Sequence, residues 1–121
     1  MIKLTETIGR LTIRLEAQPI GSDWSVVVYG GDRPHIGAVA LASPENGCSL
    51  ICLPDHREGE LAKELAATLA NRVNAAVCVS CGIHLENITK DEISLVHTII
   101  ENFTLELHSV SAAVLHGFEP N

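Results

Sequence analysis

The chain predicts an α/β fold, a two-layer sandwich with a mixed, mostly antiparallel five-stranded sheet and two helices on one face. Three observations carry this. Short alternating or apolar runs fill the first half, residues 10–53. Leu61, Leu65, Leu69 and Val73 then recur every four residues, and Ile93, Val96, Ile100, Phe103 and Leu107 mark a second helical stripe. An apolar run, Ala75–Ile83, lies between the two. Meander strands followed by a strand–helix–strand crossover give the order β-β-β-β-α-β-α.

Residues 10–16 set Leu11, Ile13 and Leu15 against Arg10, Thr12, Arg14 and Glu16, the period-two pattern of a half-buried strand. A turn at 18–23 leads to a second strand, Trp24–Tyr29. Three glycines and a proline in Gly30-Gly31-Asp32-Arg33-Pro34-His35-Ile36-Gly37 stop that strand, because glycine opens backbone angles closed to other residues and proline fixes φ. Eight residues exceed the two to five of an ordinary hairpin. The stretch therefore reads as a shaped loop holding one cation, Arg33, and one titratable ligand-type side chain, His35. A third strand at 37–43 turns through Pro44-Glu45-Asn46-Gly47, whose Asn-Gly suits positive φ, into a fourth, Cys48–Leu53.

The first helix is expected over about 56–73, with Asp55 as cap and Glu58 completing a capping box. Ala75–Ile83, apolar on both faces, reads as a central fifth strand. Thr89 with Glu92 three residues on caps the second helix, and Ile88 faces Ile93 as a hydrophobic staple. The pattern fades after about Leu107. The expected organisation is one domain, 1–108, and a C-terminal tail, 109–121. The first strand has a polar option for its outer face, whereas the later strands are apolar on both sides, so a dimer packing sheet against sheet is expected.

Composition narrows the function classes. With 121 residues, 46% hydrophobic and 19% charged, the chain is globular and sized for one core; only 3% is aromatic, so that core is aliphatic. A net charge of −7 supplies no basic face for nucleic acid. No apolar run approaches the roughly 20 residues of a membrane helix. The first residues lack the apolar core of a signal peptide, and a cytoplasmic location is the expectation. Cys48, Cys52, Cys78 and Cys81 read as reduced core fillers. Cys78-Val79-Ser80-Cys81 has metal-ligand spacing, but residues i and i+3 of a strand face opposite ways.

The strand order makes a geometric prediction. The fourth and fifth strands, joined by a right-handed crossover, run parallel and end at one edge of the sheet, where the third begins. His35, His56 and His84 are expected to converge there, with Arg33, Arg57, Glu86 and Asn87 nearby. Two helix N-termini at this edge suit a phosphate, and the imidazoles with a carboxylate suit a divalent metal such as zinc or manganese. His97, His108 and His116 are placed away from the edge and given no role. No nucleophile elbow, G-x-G-x-x-G or P-loop occurs.

Three segments resemble one family. The Gly30–Gly37 loop is similar to the G-G-x-x-P-H-I-G signature of the LpdD-like proteins, small prenylated flavin chaperones associated with gallate decarboxylase. Cys81-Gly82-Ile83-His84-Leu85-Glu86-Asn87-Ile88-Thr89 resembles their G-I-H-x-D-N-I-T/S segment, and Asp55-His56-Arg57 their G-H-K/R. Asp55 stands in place of a glycine, and Glu86 in place of the more usual aspartate. The resemblance, over roughly 24–104, implies a fold like that of proteasome assembly chaperones and a homodimer. It implies a non-catalytic chaperone that binds reduced prenylated FMN and delivers it to a UbiD-type decarboxylase. Cofactor-binding residues would then be Gly30, Gly31, Arg33, His35, Gly37, Arg57, Gly82, His84, Glu86 and Asn87, with His35, His84 and His56 as possible ligands of a divalent metal. Two other classes fit the residues: a small metal-dependent hydrolase using the histidine edge, and a dimeric scaffold protein without a small-molecule ligand.

Overall fold

The computed structural model describes the backbone of residues 1–54 and 57–117, with side chains described to residue 107 and at Ser109. The elements run β1 (Ile2–Ile8), β2 (Leu11–Ile20), β3 (Asp23–Gly31), β4 (Ala38–Ser43), β5 (Gly47–Cys52), α1 (Gly59–Val73), β6 (Val77–His84) and α2 (Lys90–Gly117). One six-stranded sheet has the order β1-β2-β3-β6-β4-β5. The mixed, mostly antiparallel sheet and two helices are those expected. The strand count is corrected from five to six.

The additional strand is β1, paired antiparallel with β2 across the turn at Gly9 and Arg10. Its alternation is broken in sequence by Glu6, which takes an inward place beside Ile2, Leu4 and Ile8. The structure satisfies that carboxylate with the side-chain amide of Asn102 on α2, at 3.0 Å. A charge inside an apolar stripe is tolerated where a donor meets it.

β6 enters the middle of the sheet, parallel to β3 and antiparallel to β4. Pairing aligns Leu15, Val28, Cys81 and Ala38 in one row, and Ala17, Val26, Val79 and Ala40 in the next. All eight are buried. Both helices cover this face: Leu61, Leu65 and Leu69 of α1, and Val96, Ile99, Ile100, Phe103 and Leu107 of α2, complete the core. Ile93 is the exception to the expected stripe, being 44% exposed. α2 does not end near Leu107, where the periodicity fades, but continues to Gly117. No helix among the described residues is long and apolar enough to cross a membrane.

No element among the described residues covers the opposite face. On β1 and β2 it carries Lys3, Thr5, Arg14 and Glu16, whereas across β3, β4 and β5 it exposes Val27, Leu41 and Ile51. The cysteines divide as the sheet does. Cys81 is buried in the core, and burial pushes its thiol up to about 12, with the Glu58 carboxylate adding to the effect. Cys48 and Cys78 are half-buried, and Cys52 is exposed at the end of the edge strand, which corrects its reading as a core filler.

Candidate functional site

Directions in the sheet put four chain segments at one edge: the ends of β3, β5 and β6, and the start of β4. The loop between β3 and β4 is welded there by backbone bonds. Asp32 N donates to the His84 carbonyl at 2.7 Å, and Gly37 N to that of Cys81 at 2.9 Å. Two glycines make this approach possible. A Cβ on Gly31, whose φ is +78°, would collide with the His84 carbonyl, and one on Gly82 with the His35 carbonyl. The amides of Asp32 and Gly37 are thus committed to β6 carbonyls.

The weld brings His35 and His84 together, their ring centroids 6.5 Å apart and the rings 70° to each other. His35 Nδ1 lies 2.9 Å from the Arg33 carbonyl oxygen, which can only accept, so Nδ1 donates. Nε2 meets Glu58 Oε1 at 2.9 Å. Glu58 was expected to complete a capping box. Instead the helix begins after it, its side chain makes no capping hydrogen bond, and its second oxygen is buried with no hydrogen-bond partner among the described residues. The carboxylate turns into the site rather than along the helix because His35 offers it a partner there.

His84 forms a second, more open pair. Its Nε2 stands 3.3 Å from Glu86 Oε2, which also accepts from Arg33 Nη2 at 3.0 Å. The His84 contact, and then the Arg33 guanidinium, hold the Glu86 carboxyl below the usual carboxylate range. Glutamate in this position reaches both partners at once.

Between the two helices, above the end of β6, lies a pocket of about 910 Å³. Its lining mixes charged and titratable side chains, Arg33, His35, Arg57, Glu58, Glu60, His84 and His97, with aliphatic ones: Ile36 and Leu53 from the loops, Leu61 from α1, Ile83 in β6, Leu85 and Ile88 just after it, and Ile93 and Val96 from α2. The volume falls in the range of roughly 300–1,000 Å³ typical of small-molecule sites. Of the residues assigned from sequence, Arg33, His35, Arg57 and His84 line it, whereas Gly30, Gly31, Gly37, Gly82, Glu86 and Asn87 do not. Asp55 and His56 lie outside the described residues. His97, placed away from the edge by sequence, lines the pocket. It follows Val96 by one residue, on the flank of the buried stripe, and a helical wheel drawn from Ile93 to Leu107 would have shown that. Among the described residues, no group of three His, Cys, Asp or Glu side chains is arranged to hold a metal ion.

The sequence matches the family model described as the prenylated flavin chaperone LpdD-like domain over residues 7–111. The chain belongs to that family. Within it, Protein LpdD of Lactiplantibacillus plantarum is 30% identical over 98 residues, spanning 76% of this LpdD-like chain and 71% of that protein. A chain from the crystal structure of a chaperone complex for yeast 20S proteasome assembly superposes with a TM-score of 0.60. It is 18% identical, and the superposition covers 90% of this chain and 95% of that one. At that identity the likeness is one of fold alone. The capping box of α2, the welded loop and the histidine pair all fall inside the matched residues.

Proposed function

We propose that this protein is a non-catalytic carrier that binds reduced prenylated FMN and passes it to a UbiD-type decarboxylase. The single observation that carries the proposal is the mixed lining of one pocket at the sheet edge, where two guanidiniums and three imidazoles share a volume with aliphatic side chains. The residues fit the group. Arg33 and Arg57 supply positive charge for its phosphate; Leu61, Ile83, Leu85, Ile93 and Val96 suit its ring and prenyl carbons. When bound, the reduced flavin would be held in its oxygen-sensitive form until it reaches the receiving enzyme, where its chemistry takes place.

In this reading, His35 and His84 form the polar wall against the ring, and Glu86 holds His84 and Arg33 in place. Gly30, Gly31, Gly37 and Gly82 contribute shape, and Asn87 contributes the turn after Glu86. A divalent metal enters only as an addition, through His84 with His35 or His56. The carrier is cytoplasmic. It is also a homodimer, with Val27, Leu41 and Ile51 of the uncovered sheet face meeting those of a second copy, since exposed apolar patches mark interaction surfaces.

Purified protein mixed anaerobically with reduced prenylated FMN and passed through a desalting column tests the carrier role. Co-elution near one flavin per chain is expected; elution of protein without flavin would sink it. Light scattering of wild type and Leu41→Glu tests the dimer, which the variant should dissociate.

A further inference from the structure

The pocket rim, residues 84–89, carries His84, Leu85 and Ile88 into the pocket but is itself held from outside. Arg10 sits at the turn between β1 and β2 and is not a lining residue. Its guanidinium crosses to the rim and makes a fork. Nη2 donates to the Glu86 carbonyl at 2.8 Å and reaches that of Asn87 at 3.4 Å. Nε and Nη2 also donate to the two carboxylate oxygens of Glu92, at 2.7 and 2.9 Å. Glu92 in turn accepts from Thr89 N at 3.0 Å and donates its own amide to Thr89 Oγ1 at 3.1 Å, closing the capping box. From the opposite side, Asp32 Oδ2 accepts from Glu86 N at 2.9 Å. Glu86 and Asn87 are therefore gripped between two loops far from each other in sequence.

Asn87 turns the chain between the two. Its φ of +53° is left-handed, a conformation asparagine tolerates in turns. Both flanking groups of that turn, the Glu86 and Asn87 carbonyls, face Arg10. A surface ion pair alone would contribute little; the bidentate fork and the added carbonyl bonds set this one apart.

We propose that Arg10 is a positioning residue for the ligand pocket: it fixes the Glu86–Asn87 turn and the start of α2, and so sets where His84, Leu85 and Ile88 stand. Its hold on the rim is independent of any ligand, whereas its effect on ligand residence time rests on the carrier reading. A guanidinium is required because an ammonium cannot serve carboxylate and carbonyls in one plane.

Two measurements on Arg10→Met, Arg10→Lys and wild type test this. Amide hydrogen exchange without ligand should speed up about tenfold (about 1.4 kcal/mol) over residues 84–92 in Arg10→Met, leaving α1 and β3 unchanged. Release of reduced prenylated FMN under anaerobic conditions should quicken by about the same factor, with Arg10→Lys recovering only part of both effects. Exchange unchanged at 84–92, or loosened uniformly through the sheet, would overturn the proposal. So would faster exchange with unchanged release. If wild type retains no flavin, the carrier reading fails, and exchange alone decides whether Arg10 holds the rim. If Arg10→Met does not fold, Arg10→Lys against wild type makes the same comparison.

Discussion

His35–Glu58 and His84–Glu86 are the same chemical pair built twice at one pocket mouth, and they differ mainly in access to water. The side chains of the first are 26% and 11% exposed; those of the second are 44% and 60%. Water can replace a lost partner in the open pair. The second oxygen of Glu58 is buried, with no donor among the described residues. Identical groups thus take different parts: the inner pair is bound up with the fold, and the outer pair is free to respond to what enters.

The largest effect expected is on the inner pair's backbone. Gly82→Ala drives a methyl into the His35 carbonyl and should destabilise by more than about 3 kcal/mol, read by urea denaturation. Retention of stability would mean the loop moves freely on β6, and the weld would be wrong. Next comes His35→Ala, which strands a buried carboxylate; a loss of about 1–3 kcal/mol is expected, against under about 1 kcal/mol for His84→Ala. Equal losses would erase the distinction drawn here.

How these parts could be read from sequence also differs. The Thr89–Glu92 capping box and the crossing that joins His35 to His84 follow from local spacing and strand direction. Glu58 does not, because an acid three residues after a possible cap looks the same whether it turns to the helix or to an imidazole. The partner that decides it, His35, stands 23 residues earlier. Arg10 is invisible for a similar reason: in an alternating strand it reads as an outward charge, and its partners lie 76 to 82 residues away. β1 escapes the sequence pattern because Glu6 interrupts it, and the amide that satisfies Glu6, on Asn102, belongs to the last helix.

Acid titration gives smaller effects and sharpens the contrast further. Glu86 is held below the usual carboxylate range first by His84, so in His84→Ala an NMR titration should show its carboxyl moving up toward the ordinary value. Glu92, held by Arg10 at about 2, should not move. Because both carboxylates are depressed in the folded chain, their contributions to stability are present above the ordinary value, about 4.5, and lost as pH falls; for Glu92 the loss runs down to about 2. An unmoved Glu86 in His84→Ala would place its main partner elsewhere.

The decisive measurement compares two tryptophans, one filling the pocket and one on the uncovered sheet face, in anaerobic binding of reduced prenylated FMN. Ile93→Trp fills part of the pocket from α2 while changing no charged residue, and should weaken binding at least about tenfold, or about 1.4 kcal/mol. Leu41→Trp should leave affinity as it is in wild type. Full affinity in Ile93→Trp, or loss in Leu41→Trp alone, would move the flavin out of the cleft between the helices and contradict the account.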